Sequence, residues 1–299
     1  MLSQDHSPPI GPPETLAPGI RVVTAPNASP MTFTGTRSYL LGEGAVALID
    51  PGPDLPAHRD ALLAALAPGE RYAAILVTHA HLDHSPLASR LAAELDLPLL
   101  AYGDWQAGRR EGLPEIGGGE GVDQAFAPTQ TLDHGEVFTI GDLTLTALHT
   151  PGHQGNHLCF AVPALDALFS GDVLMGWSTT LISPPDGDLG DFFDSLDLLA
   201  GREEAVFYPG HGAPVTNPRE NIAWQKTHRE ERTAQILAVL ERGPATPEAI
   251  TEAVYEGLNP ALLPAAKRNV MAHLIWLDRK GDVTADGPLS PSATYRRKN

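Results

Sequence analysis

Four apolar runs of this chain, each short enough for a single β-strand, end in histidine or aspartate, side chains of the types that can ligate metal ions. I-L-V-T-H-A-H-L-D-H runs into Thr78–His84, and L-T-A-L-H-T-P-G-H leads to His153. A-L-F-S-G-D delivers Asp172, and V-F-Y-P-G-H delivers His211. Strand ends are where a rigid scaffold presents chemistry, and glycines at such ends let the backbone turn tightly. The repetition constrains the fold more than any other feature: it must gather several strand ends at one place.

From about Met31 to Pro209 the chain alternates such strands (also Y-L-L-G, A-V-A-L-I-D-P-G, L-P-L-L-A-Y and L-C-F-A-V-P) with Gly/Pro turns. Leu55–Leu66 and Ser85–Leu95 have apolar residues at helical spacing. Many short strands with interspersed helices predict sheets with helices packed outside. The acidic, Gly-rich Glu111–Gly121 reads as a surface loop. After Pro218 the texture becomes helical. Arg219–Glu241 predicts one long helix, and Thr246 caps a second with Pro247 at its first position. A third runs through A-A-K-R-N-V-M-A-H-L-I-W-L-D-R-K to Gly281, and D-V-T-A-D-G-P predicts a short hairpin. Residues 1–20 read as a disordered or extended lead-in, 21–217 as the main unit and 218–299 as a winged-helix-like domain.

Charge separates the two units. Of the net charge of −17, residues 219–299 carry +2 (12 Lys+Arg against 10 Asp+Glu), which leaves −19 on residues 1–218. An acidic body is a poor trap for a polyanion. No apolar run is long enough to cross a bilayer, and the first residues carry neither the basic start nor the apolar stretch of a secretory signal. The single cysteine, Cys159, lies in an apolar strand and reads as a small buried hydrophobe. Cytoplasmic residence is the expectation.

In an extended segment His79 and His81 project to the same side, while Asp83 and His84 turn elsewhere at the entry to a helix. One motif can thus feed two neighbouring ions. Five histidines and two aspartates exceed what one tetrahedral ion takes and suit two. In order, His79, His81, Asp83, His84, His153, Asp172 and His211 strongly resemble the signature of the metallo-β-lactamase superfamily: H-x-H-x-D-H, then an isolated His, an Asp and a last His. The resemblance implies an α/β (α+β) fold, a four-layer αββα sandwich. It places one Zn²⁺ on His79, His81 and His153, a second on Asp83, His84 and His211, and Asp172 between them. It also implies hydrolysis by a metal-bound hydroxide that Asp83 orients as catalytic residue. His81 stands where the dioxygen- and nitric-oxide-handling members have a carboxylate, which favours the hydrolytic branch; the nitrogen and oxygen donors also suit manganese or iron.

Ser29–Gly42, H-T-P-G-H-Q-G-N-H, Y-P-G-H-G, T-H-R-E-E-R-T-A-Q-I-L and K-R-N-V-M-A-H-L resemble the β-lactamase-like protein 2 group, whose known animal member is a single-strand-specific endoribonuclease. The expected activity is therefore hydrolysis of an ester, thioester or phosphodiester, with single-stranded RNA or a small molecule as substrate. A glyoxalase II-like thioesterase or a lactonase is the alternative, and a nucleic-acid-binding regulator is the alternative of another class. DNA and membrane partners are not expected. Val270, Leu274, Ile275 and Leu277 read as core of the C-terminal unit, which is expected to pack on the main unit or to shape a homodimer. His149 and His157 flank His153 either as support behind the ligands or as ordinary structural histidines. Arg37 and Tyr39 are placed near the mouth of the site, and Ser178, Thr179 and Thr180 are candidates for its lining. Lys267, Arg268 and Arg279 read as a solvated helix face. His6, His58, His134, His228 and His273 have no case as ligands.

Overall fold

A computed structural model describes residues 5–113 and 121–298. Seven strands form the first sheet in sequence order: β1 (Pro13–Ala17), β2 (Ile20–Thr24), β3 (Arg37–Leu41), β4 (Ala45–Ile49), β5 (Arg71–Leu76), β6 (Leu99–Ala101) and β7 (Gln130–Thr131). The first four pair antiparallel, whereas β4 to β7 run parallel. The parallel pairing needs crossovers, which α1 (Pro56–Ala64) and α2 (Pro86–Leu95) provide. The second sheet holds β8 (Val137–Ile140), β9 (Leu143–His149), β10 (Leu158–Val162), β11 (Ala167–Gly171) and β12 (Val206–Pro209). Here α3 (Leu189–Ala200) makes the crossover between parallel β11 and β12.

Alternation along the strands sets the layers. Val22, Tyr39, Leu41, Ala47 and Ile49 face Leu145, Phe160 and Phe169 in a core between the two sheets. Their neighbours Val23, Leu40, Val46 and Leu48 pack outward under α1 and α2. Leu148, Cys159 and Leu168 pack outward with Leu189, Phe192 and Leu196 of α3. The result is the four-layer αββα order. The edge strand β1 and the helix α3 are elements that the apolar patterning did not single out. The loop expected at Glu111–Gly121 falls mostly on residues 114–120, outside the described residues.

The C-terminal unit comprises α4 (Pro218–Glu241), α5 (Pro247–Val254), α6 (Leu263–Lys280) and the pair β13 (Val283–Ala285) and β14 (Tyr295–Arg297). Thr246 caps α5 as expected, its Oγ1 accepting from the Ala249 amide. The expected hairpin is corrected: Val283–Ala285 pairs with Tyr295–Arg297 across a wide loop, not within D-V-T-A-D-G-P. Val270, Leu274, Ile275 and Leu277 are buried with Ile236, Leu240, Ile250 and Tyr295.

This unit packs on the sandwich. Arg279 of α6 donates to Asp188 Oδ1 at 2.8 Å, the carboxylate that caps α3. Arg229 of α4, fully buried, donates to the Thr180 carbonyl and to Asn269 Oδ1 (3.2 Å), with its guanidinium 5.5 Å above the Phe192 ring. Asn269 Oδ1 also accepts from the Ile182 amide at 3.2 Å. Burial pulls the Arg229 pKa down to about 10, so it stays charged at neutral pH. Arg229→Ala is expected to cost about 2–4 kcal/mol of stability, because it leaves the buried Thr180 carbonyl without its donor and opens a cavity against Phe192. The thermal-unfolding midpoint checks this against Lys267→Ala, an exposed position expected to change stability by about 0.5 kcal/mol or less.

Candidate metal centre

The two sheets are joined along one rim by backbone hydrogen bonds, and the chemistry sits on that rim. The Leu158 amide donates to the Thr78 carbonyl (2.7 Å) and the Arg37 amide to the Gly210 carbonyl (2.9 Å), while the Gly210 amide donates to Gly171 (2.8 Å) at the end of the β11–β12 ladder. Gly210 is needed for space rather than for a turn: a Cβ there would lie 2.4 Å from Asp172 Oδ1 and 2.6 Å from His84 Cε1.

All seven candidate residues meet here. His79 Nε2 and His153 Nε2 each lie 3.0 Å from His81 Nδ1. His84 Nε2 lies 3.3 Å from His211 Nε2 and 3.4 Å from Asp83 Oδ2, which is 3.1 Å from His211 Nε2. Asp172 stands between the groups, its Oδ2 at 3.7 Å from His153 Nε2 and 3.4 Å from His211 Nε2. The donor atoms of His79, His81 and His153 lie within 4.8 Å of one another, as do those of Asp83, His84 and His211, and those of His79, His84 and Asp172.

The hydrogen bonds behind the rings determine which nitrogen faces inward. Asp50 accepts from the Thr78 amide (2.7 Å), from Thr78 Oγ1 (2.7 Å) and from His84 Nδ1–H (2.9 Å). With its proton committed to Asp50, Thr78 Oγ1 accepts from His79 Nδ1–H at 2.9 Å, which leaves His79 Nε2 as a bare lone pair. His153 Nδ1–H donates to the Leu181 carbonyl (2.7 Å) and His211 Nδ1–H to Gly35 (3.4 Å). The bare lone pairs of His79 Nε2 and His153 Nε2 both converge on His81 Nδ1 at 3.0 Å, a spacing that suits a shared cation. Zn–N bonds of about 2.0–2.1 Å put tetrahedral ligands about 3.3 Å apart. Among the described residues Asp172 Oδ1 is buried without a hydrogen-bond partner, a second sign that the donor set fits metal.

Electrostatics agrees with the geometry. Burial holds His79 well below the ordinary imidazole value and His81 down at about 3, and lowers His153. Against burial, Asp83, Asp172 and Asp50 raise His84, while Asp172 and Asp83 lift His211 to about 9. Burial alone would raise both carboxylates, but His84 and His211 keep Asp83 and Asp172 well below the carboxylate range.

Asp50 is the residue the sequence reading missed. A-V-A-L-I-D-P-G is also a strand ending in a carboxylate beside a turn, the same signal as the other four ends. His157 supports the cluster from behind: its Nε2 accepts from the Asp172 amide (3.1 Å), and its Nδ1–H donates to Thr150 (2.9 Å). His149 instead stacks on Tyr102 (3.7 Å) and bonds the Gly155 carbonyl, outside the cluster. Arg37 and Tyr39 are not at the mouth. Arg37 is buried against Thr24, and the Tyr39 hydroxyl donates to the Pro209 carbonyl at 2.7 Å, so both brace the His211 loop from below. Thr180 is buried and donates to the Asp172 carbonyl (2.8 Å). The solvated face expected for Lys267, Arg268 and Arg279 is corrected for two of them. Lys267 is exposed and pairs with Glu248, but Arg279 docks on α3 and Arg268 lines the cavity over the cluster. That cavity, of about 210 Å³, is also lined by Met31, Val122, Leu181, Ser183 and Asp186.

The family model of the metallo-beta-lactamase superfamily matches residues 31–211. The chain belongs to this superfamily. It is a metallo-beta-lactamase superfamily hydrolase, and the model of the beta-lactamase associated winged helix domain matches residues 246–288. Among curated relatives, an atrochrysone carboxyl ACP thioesterase of Aspergillus fumigatus is 27% identical over 258 residues, covering 81% of this chain and 75% of that one. The beta-lactamase-like protein 2 homolog of Drosophila melanogaster is 31% identical over 265 residues, covering 85% and 86%. A solved metallo-beta-lactamase family protein of Thermus thermophilus superposes with a TM-score of 0.76 at 27% identity, covering 95% of this chain and 100% of that one.

Since His211 holds a proton at neutral pH in the metal-free protein, a cation bound at Asp83, His84 and His211 must displace it. Apparent affinity for a divalent ion is therefore expected to fall as pH drops below about 9. Proton release, measured by titration calorimetry in buffers of different ionisation heat, checks it. Asp50→Ala is expected to weaken metal affinity about 10–100-fold. Unchanged affinity would remove Asp50 from this role.

Proposed function

We propose that the protein is a dinuclear metallohydrolase that cleaves a small-molecule ester or thioester. His79, His81 and His153 would hold one ion and Asp83, His84 and His211 the other, with Asp172 standing between the two trios. The observation that carries this reading is the meeting of two ligand trios at one buried carboxylate, directly beneath a cavity. Imidazole and carboxylate donors suit zinc, and manganese or iron as well. A bound ion of this kind lowers the pKa of a water to about 7 and so supplies a nucleophile at neutral pH.

The chain's own residues do the rest. Asp83, its side chain 25% exposed, faces the cavity and holds and orients the attacking water by one carboxylate oxygen. As the water oxygen bonds to the acyl carbon, the C–S or C–O bond breaks, and the proton that Asp83 has taken up passes to the departing sulfur or oxygen. His157 and Thr180 hold the Asp172 backbone, so the central carboxylate does not swing during the reaction.

Thioesters and esters are favoured over phosphodiesters because the body carries −19 and the cavity wall itself sets the carboxylates of Asp83, Asp172 and Asp186 against one guanidinium, that of Arg268. The thioesterase named among the relatives supports the same class. A catalytic unit over 21–217, whose first sheet the lead-in joins through β1, a winged-helix-like unit over 218–299 and a cytoplasmic setting, with Cys159 a buried free thiol, belong to this proposal.

The test offers metal-loaded protein a panel of acyl thioesters, esters, lactones and a labelled single-stranded RNA, with Asp83→Ala as control. Thioester or ester cleavage is expected, with the variant slower by about 100-fold or more. RNA cleavage that vanishes in the variant, with the acyl substrates untouched, would replace this reading by the ribonuclease one.

A further inference from the structure

The cavity over the metal centre opens into a second one of about 310 Å³, and the two share Met31, His153, Asp172 and Leu181. The second arm runs away from the metals beneath the C-terminal unit. Its walls are Met175 and Trp177 from the sandwich and Tyr255, Leu258, Leu262 and Ala265 from the segment that leads into α6. Polar groups concentrate where it joins the metal centre, at His153 and Asp172, and along one wall at Ser178, Thr179 and Asn269. The Asn269 side-chain Oδ1 already accepts from the Ile182 amide and from Arg229.

Two of the aromatic walls are fixed in place. Trp177 stacks on Phe33 with ring centroids 4.7 Å apart and planes at 10°. Behind it the chain passes so close at Gly212 that a Cβ there would lie 2.7 Å from Trp177 Cδ1. Tyr255 carries the Arg232 guanidinium 4.0 Å above its ring. A preformed apolar slot with one end on the reactive centre is built for an apolar group joined to the bond being cleaved, and its volume falls in the range of small-molecule sites. A phosphodiester strand would instead need cationic contacts along its length.

We propose that this arm is the acyl pocket: the substrate carries an apolar acyl group longer than acetyl, seated between Trp177 and the Leu258–Ala265 segment with its carbonyl carbon over the metals. The proposal rests on the ester or thioester reading and names the substrate class within it. In this arrangement the winged-helix-like unit supplies half of the specificity surface.

The test uses two readouts on full-length, metal-loaded protein. Hydrolysis of N-acetylcysteamine thioesters from acetyl to decanoyl is expected to gain up to about 4-fold in kcat/KM per added methylene until the arm is full. Ala265→Phe, which narrows the arm, should lower the decanoyl-to-acetyl ratio about 10-fold. Independently, decanoate binding, followed by tryptophan fluorescence, should be tight in the parent and weakened about 10-fold in Ala265→Phe. Decanoate binding that the variant weakens, with no thioester or ester cleaved, would keep the apolar arm and sink the hydrolytic reading. Cleavage with no chain-length dependence, and ratio and binding both unmoved by Ala265→Phe, would overturn the acyl pocket while leaving that reading intact.

Discussion

The Asp50 carboxylate at the end of β4 accepts three hydrogen bonds from the segment that follows β5, and the remaining geometry of the centre depends on them. Two of the three reach Thr78 and one reaches His84, so a single buried anion fixes both the start and the end of the histidine-rich turn. Through Thr78 it also sets the tautomer of His79, and directly it sets that of His84. Crowding five imidazoles and two carboxylates between two sheets would otherwise allow the rings to rotate and pair among themselves. A buried charge of this kind is stable only when fully hydrogen-bonded, and Asp50 meets that condition with groups of the same turn that it orders.

The second support comes from the C-terminal unit. Arg229 and Asn269 hold the Thr180 carbonyl and the Ile182 amide on either side of Leu181, whose carbonyl orients His153. A helix far along the sequence thus acts on a ring of the metal centre through a loop of three residues. The winged-helix-like domain is in this sense a structural part of the candidate metal centre. The inward turn of Arg279 and Arg268 points the same way, since two of the four basic residues of α6 face the sandwich.

Much of this could be read from the sequence because strand-end chemistry is local. The four apolar runs ending at Thr78–His84, His153, Asp172 and His211 carry the ligand types in plain order, and alternation within strands gives the two-sheet core. What escaped was long-range. Asp50 lies at a strand end like the others, but a lone carboxylate before Pro-Gly looks like an ordinary turn until Thr78 and His84 are seen beside it. Arg229 sits in a charged helix whose periodicity suggests solvent, and only packing against Phe192 reveals it as buried. Helix α3 was missed because Gly, Asp and Ser interrupt its apolar residues, and tertiary burial of Leu189, Phe192 and Leu196 outweighs that local preference.

The acidic charge of the main unit fits a division of labour in the cleft. Asp50, Asp83 and Asp172 need cations, and the centre draws on imidazoles and metal for them, which leaves little positive field to project outward. A polyanion approaching such a body meets repulsion long before it reaches the metals, whereas an uncharged acyl chain meets none and gains by leaving water. In the acyl-pocket proposal the apolar arm would supply binding free energy where long-range electrostatics offers none. Substrate selection would then rest on how the Leu258–Ala265 segment packs against Trp177, and so on the packing of the two units against each other.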